Sequence, residues 1–161
     1  MRYAVVASPL GDLVVWGDGD TLSGLSFADS QKAAVVDPSW DRADTSFAEV
    51  AAQLRAYFAG ERTEFTLKLD PHGTAFQRRV WDALEKIPFG TTTTYGQIAA
   101  ELGDPRSTRA VGLANGRNPI AIIIPCHRVI GADGNLTGYG GGMDRKRWLL
   151  AHESGAVRLP W

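Results

Sequence analysis

Thr94-Tyr95-Gly96-Gln97-Ile98-Ala99-Ala100-Glu101-Leu102-Gly103-Asp104-Pro105-Arg106-Ser107-Thr108-Arg109-Ala110-Val111-Gly112-Leu113-Ala114-Asn115-Gly116-Arg117-Asn118-Pro119 is the stretch whose reading decides the fold. Ile98, Ala99 and Leu102 recur on one face of a short helix, and Gly103-Asp104-Pro105 turns the chain. Ser107 can cap a second helix running through Arg109, Val111, Leu113 and Ala114 towards Asn118-Pro119. Two short helices across a Gly-containing turn fit a helix-turn-helix. An ordinary helical hairpin packed in a core fits the same spacing.

Upstream, Thr74 is placed as the N-cap of a helix with Phe76, Val80, Trp81 and Leu84 on one face, ended by Pro88-Phe89-Gly90. Asp70-Pro71-His72-Gly73 is the expected boundary between a first unit, 1–72, and a second, 73–161. In the first unit Tyr3 to Val6, Leu13 to Trp16 and Leu22 to Phe27 read as strands of an antiparallel meander separated by turn residues. Residues 29–45 read as a polar loop, and Phe47 to Phe58 as a helix with Phe47, Val50, Leu54, Tyr57 and Phe58 inward. Glu64 to Leu69 alternates as one more strand. The fold class is therefore α+β: a small antiparallel sheet with a helix, then a mainly helical unit.

Downstream, Ile120 to Ile124 is a continuous β-branched run, read as a buried strand ending at Pro125. Cys126-His127-Arg128-Val129-Ile130 follow, then a turn at 131–135 and Tyr139 among glycines. Asp144 to Glu153 reads as a last helix, and the tail from Ser154 has no clear pattern.

Composition narrows the function classes. A hydrophobic fraction of 44% with 22% charged residues supports a packed core and excludes a disordered chain. No stretch has the length of a membrane span, and the start lacks the features of a secretory signal, so the cytoplasm is the expected location. One cysteine excludes an internal disulfide, and the three histidines fit no zinc spacing. Residues 1–72 carry six basic and eleven acidic side chains, whereas 73–161 carry eleven basic and seven acidic. The positive second unit hints at a polyanionic partner, and a chance split of a mixed surface gives the same numbers.

A lone cysteine is more often a small buried hydrophobe than a nucleophile. Here Cys126 sits at the end of an apolar run beside a loop, His127 follows it, and Glu153 is the carboxylate near the end of the last helix. Cys, His and a carboxylate are the set that makes a thiolate: the imidazole accepts the proton and the acid orients the imidazole. If 126 and 127 continued a strand, their side chains would point to opposite faces, and a direct bond would need a turn or a bridging water. His127 alone reads equally as a structural histidine, and Glu153 alone as a solvated helix residue.

Ile124-Pro125-Cys126-His127-Arg128-Val129-Ile130 closely resembles the active-site signature of the O6-alkylguanine-DNA alkyltransferases. Phe76 to Trp81, Pro88-Phe89-Gly90 with Thr94-Tyr95, Arg109-Ala110-Val111-Gly112, Asn118-Pro119, Tyr139-Gly140-Gly141 and Leu149 to Glu153 resemble that family too, in its order and spacing. The detailed resemblance covers about residues 73–155, and the first unit resembles the family's variable first domain more loosely. The resemblance implies a ribonuclease H-like first domain and a winged-helix/helix-turn-helix second domain carrying the active site.

It implies repair by single-turnover transfer of an alkyl group from O6-alkylguanine to Cys126, without a cofactor or metal and with the base flipped. Alkylated thymine is left open as a substrate. Implied roles are Cys126 as acceptor, His127 as base through a water, Glu153 orienting His127, and Asn118 holding the turn before the active-site segment. Tyr95 would donate to the flipped base and Arg109 would fill the gap it leaves. Thr94, Ser107, Ala110, Gly112, Arg117 and Arg128 are assigned to DNA, and Tyr139, Gly140, Lys146 and Pro125 to the alkyl pocket. The partner would be double-stranded DNA, met through the minor groove without sequence preference, by a monomer whose cooperative assembly on DNA is left open. Small residues at 110, 112, 114 and 116 suit that close approach and offer few groups to read base edges; close helix packing explains them as well. Where many relatives have serine, Gly140 lacks a hydroxyl donor. Rival readings are a non-catalytic damage sensor of the same fold, a cysteine hydrolase, and a winged-helix regulator.

Overall fold

The computed structural model describes residues 1–30, 36–136 and 138–155. The alternating start forms β1 (Arg2–Val6), β2 (Leu13–Asp18) and β3 (Thr21–Phe27). β1 pairs antiparallel with β2, Arg2 opposite Gly17, and β2 with β3, Leu13 opposite Phe27. Two short edge strands complete a five-stranded sheet of order β4-β1-β2-β3-β5: β4 (Asp41–Arg42) and β5 (Lys68–Leu69). Both edge strands pair in parallel, so the sheet is mixed, with an antiparallel centre and parallel margins. The loop expected at 29–45 thus contains β4, and part of it, 31–35, lies outside the described residues. The strand expected from Glu64 shrinks to Lys68–Leu69.

After a 3-10 turn at Asp44–Phe47, α1 (Ala48–Phe58) packs Val50, Leu54, Tyr57 and Phe58 into the core. Burying one such side chain is worth about 1.5–3 kcal/mol, so this face docks the helix far more strongly than its propensity could.

The second unit opens with α2 (Ala75–Glu85), whose start is local chemistry. The Thr74 hydroxyl accepts from the Gln77 backbone N–H, and the Gln77 side chain accepts from the Thr74 N–H. The short strand β6 (Thr93–Thr94) leads into α3 (Tyr95–Glu101); a 3-10 turn at Pro105–Ser107 then leads into α4 (Thr108–Gly116). The Trp81 indole donates to the carbonyl of Ala114 at 2.9 Å, tying α2 to α4. β7 (Val129–Ile130) pairs in parallel with β6, and α5 (Met143–Glu153) closes the described chain. Among the described residues no helix is long and apolar enough to cross a membrane. The tail beyond 155 lies outside the described residues.

The run Ile120 to Ile124 is not the strand its composition suggests. Ile120 makes a single parallel bridge to Leu25, with Leu25 N–H donating to Pro119 O and Ala121 N–H to Leu25 O. The chain then coils: Ile123 N–H donates to Ala121 O, Ile124 N–H to Ile120 O and Cys126 N–H to Ile124 O. Ile122 sits at φ 72°, the left-handed region where a β-branched side chain is strained by about 1–3 kcal/mol. Burial explains the error: a run hidden on every side is apolar whether it is extended or coiled.

Candidate active site

Asn118 shapes the turn that delivers the cysteine. Its side-chain amide donates to Ile124 O at 2.7 Å, and its carbonyl accepts from the Ile120 N–H at 3.0 Å. One side chain thereby straps both ends of the strained coil. Pro125 then starts a 3-10 turn, Cys126–Arg128, in place of an extended continuation. A 3-10 turn rotates each residue by about a third of a circle, so the opposed faces of a strand do not arise.

Cys126 lines a cavity of about 550 Å³ between the two units. Its walls include Leu25 and Ser26 of β3, Trp81, Asn115, Asn118 and the loop Gly138, Tyr139, Gly140 and Gly141. Only 6% of Cys126 is exposed, so the thiol meets this space rather than open solvent. The Asn115 amide donates to Cys126 O at 3.4 Å.

His127 is fully buried, and its Nε2 lies 2.7 Å from Glu153 Oε2. Burial alone would raise the Glu153 carboxyl, but hydrogen bonds and charge from His127 and Arg128 outweigh it and hold the group down to about 2. The carboxylate is therefore ionised near neutral pH and acts as an acceptor, so Nε2 must carry the hydrogen. Burial lowers the His127 pKa, against the opposing pull of Glu153, which favours the neutral ring. The remaining lone pair is then on Nδ1, which is buried and has no hydrogen-bond partner among the described residues. Two further buried atoms share that condition, Asn115 Oδ1 and the Tyr139 hydroxyl. Burial and the neighbouring Cys126 push the Tyr139 pKa well above its ordinary value, so its hydroxyl keeps its proton.

Arg128 corrects the expectation of a DNA contact. It is 6% exposed, its Nε and Nη2 donate to Glu153 at 2.7 and 2.9 Å, and Nη1 donates to Ile87 O at 2.7 Å. Its charge is spent internally because a buried carboxylate beside it requires a partner. Lys146 and Pro125 also depart from the pocket expected of them, and neither lines the Cys126 cavity. Lys146 is buried with Nζ donating to Val129 O at 2.6 Å, and burial lowers its pKa against the attraction of Cys126. Pro125 faces a separate cleft with Phe65, Phe89 and Arg128.

The helix-turn-helix surface is adjacent. Arg109, Ala110, Leu113, Gly116 and Arg117 of this segment are exposed, and Gly112 is half-buried, where an added Cβ would lie 3.8 Å from the Tyr95 ring. The Thr94 hydroxyl accepts from Gln97 N–H as the cap of α3, and the Ser107 hydroxyl donates to Asp104 O, so Ser107 makes no side-chain cap on α4. Both hydroxyls serve their own turns.

Residues that sequence reasoning missed come chiefly from the first unit. Tyr57 of α1 donates to Glu153 Oε2 at 2.6 Å. The Ser30 hydroxyl donates to Gly140 O at 2.5 Å, while Arg145 bonds Leu10 O, Gly141 O and Asp29 and lies over the Phe27 ring. Gly141 must be small, since a Cβ there would fall 2.5 Å from Phe27. Apart from Arg145 and Gly141, four residues apart, the partners are far apart in the chain and leave no periodic or motif signal.

A buried cysteine on a cavity, followed in the chain by a carboxylate-oriented imidazole and set near a helix-turn-helix, is the residue set of a nucleophilic cysteine centre on a scaffold of the nucleic-acid-binding type. Residues 75–155 match the family model described as the DNA binding domain of 6-O-methylguanine DNA methyltransferase, and residues 1–71 match the one for its ribonuclease-like domain. The chain therefore belongs to the 6-O-methylguanine DNA methyltransferase family. It is 52% identical over 153 residues to a methylated-DNA–protein-cysteine methyltransferase of Methanosarcina acetivorans, covering 95% of this chain and 98% of that one. A Mycolicibacterium paratuberculosis protein of the same name is 53% identical over 156 residues, covering 95% and 92%. The fold is similar to that of Mycobacterium tuberculosis OGT in complex with DNA, with a TM-score of 0.91, 50% identity and coverage of 98% and 95%.

Proposed function

We infer that this protein repairs alkylated DNA by moving the alkyl group of O6-alkylguanine onto Cys126. The observation that carries the reading is the placement of Cys126 on a cavity while Glu153 fixes His127 with Nδ1 as its open, basic nitrogen. The relatives' names and the DNA complex of the M. tuberculosis protein support DNA as the partner.

The substrate oxygen lies inside the base stack, so the nucleotide must be extruded, which costs a few kcal/mol of stacking. Arg109 is exposed at the start of α4; in this reading its side chain fills the vacated space and offsets part of that cost. The exposed face of α4, with Ala110, Leu113 and Gly116 beside Arg109, carries few groups for base reading, which suits the minor groove and damage in any sequence. Arg117, exposed at the end of the same helix, adds a phosphate contact. The protein acts as a monomer.

In the reaction the Cys126 thiol gives its proton to His127 Nδ1 through a water, and Glu153 holds the resulting imidazolium. The sulfur attacks the alkyl carbon in line. The carbon–sulfur bond forms as the carbon–oxygen bond breaks, and the electron pair stays on the guanine oxygen. Tyr95 donates to the base and stabilises that charge. The product thioether has no chemical exit from this site, so each molecule reacts once.

The test is to mix the protein with duplex DNA containing O6-methylguanine and weigh its peptides. One methyl replaces one hydrogen on the peptide holding Cys126, in proportion to protein, and Cys126→Ser abolishes the transfer. Repeated turnover with an unmodified protein would overturn the reading.

A further inference from the structure

The Glu153 carboxylate receives more donors than the thiol–imidazole–carboxylate chemistry requires. Oε2 accepts from His127 Nε2 at 2.7 Å, from Arg128 Nη2 at 2.9 Å and from the Tyr57 hydroxyl at 2.6 Å, while Oε1 accepts from Arg128 Nε at 2.7 Å. Tyr57 lies 96 residues earlier, on α1 of the first unit, and is fully buried. Its backbone carbonyl accepts from His152 Nε2 at 2.7 Å, so one residue grips α5 at two adjacent positions. Its ring is fixed edge-on to Phe58 and Phe89, which leaves the hydroxyl one direction to point. A fully buried residue making a short bond to an ionised carboxylate is a strong donor placed at a defined spot.

We propose that Tyr57 is a positioning residue for the alkyl transfer: its hydroxyl anchors Glu153, so the first unit completes a site whose nucleophile belongs to the second. The proposal rests on the function inferred above and adds a role for the first unit within it. The groups facing Glu153 are Tyr57 from α1 and His127 and Arg128 from the 3-10 turn, with the Tyr139 hydroxyl farther off. Those facing His127 are Glu153, Arg128 and Lys146. With the Tyr57 hydroxyl gone, Oε2 keeps two donors, carries more unshared charge and attracts the imidazolium more strongly. His127 serves as a base only when neutral, so its working range retreats to higher pH.

The test is Tyr57→Phe in the full chain, which keeps the ring packing. Single-turnover methyl transfer is followed against pH with methylated duplex DNA in excess, and the His127 ring proton is titrated by NMR in parallel. The acid limb of the rate is expected to move up by about half a pH unit, so that the rate at its foot falls about threefold. The His127 titration moves the same way, and DNA affinity stays at the wild-type value. A variant whose limb and His127 titration both superimpose on the wild type overturns the proposal, even if its melting temperature is lower, because that pattern is purely structural. Failure of the wild-type protein to take up methyl would instead overturn the function reading itself.

Discussion

Replacing Arg128 with methionine separates two incompatible uses of that side chain. In the structure its guanidinium makes two bonds to Glu153 and one to Ile87 O, and lies 5.7 Å from the centre of the Phe89 ring. Methionine fills similar volume but leaves the buried carboxylate with only His127 and Tyr57. Breaking a buried ion pair by removing one member costs about 3–5 kcal/mol. For a protein of this size that corresponds to a fall in melting temperature of roughly 10 °C. Urea unfolding at pH 7 gives the free energy, and a methyl-transfer time course gives the chemical effect, a slower reaction because Glu153 is no longer held. Fluorescence titration with unmodified duplex DNA at several salt concentrations gives the third reading: affinity and its salt slope stay unchanged. A loss of stability below about 1 kcal/mol, together with a salt slope reduced by about one phosphate contact, would refute the reasoning and return Arg128 to the DNA surface.

The same carboxylate should govern acid stability. Glu153 titrates near 2 when folded, against 4.5 for a free glutamate, so the unfolded chain takes up its proton first. That stabilisation is complete above pH 4.5 and is lost as pH falls towards 2, amounting to about 3 kcal/mol. His127 acts in the same direction: its folded pKa is lowered, so stability declines as pH falls below 6.5, where the unfolded imidazole charges. Urea midpoints from pH 7 to 3 check both, and Glu153→Gln should remove the lower part of the slope; an identical slope in that variant would contradict the assignment. Asn118→Ala should cost about 1–3 kcal/mol, because it leaves the Ile120 N–H unpartnered, removes one of the two donors on Ile124 O and frees the coil at Ile122. It should also slow methyl transfer by displacing Cys126, and unchanged melting with unchanged rate would show that the strap is dispensable.

Legibility followed the range of the interaction. The α2 start was readable because Thr74 and Gln77 are three residues apart and satisfy each other locally. The strands of the meander were readable because β1 alternates in burial and β2 and β3 are short apolar runs bounded by turn residues. The Ile120 to Ile124 run was not, since its conformation is fixed by the Asn118 side chain and by one bridge to Leu25 rather than by its own alternation. The candidate centre was legible as a set of types, Cys126, His127 and Glu153, whose identities alone restrict the chemistry.

What the sequence determined by itself is therefore the order of the main helices and of β1 to β3, the two short helices across a turn, and a lone thiol followed by an imidazole, because periodicity, capping and motif are carried by near neighbours. Only the tertiary structure decided that His127 presents Nδ1, that Arg128 is spent on Glu153, and that Tyr57 reaches the same carboxylate from 96 residues away. Those are contacts between side chains brought together from distant segments, and a charge or hydroxyl in a sequence does not reveal its partner until burial forces it to find one.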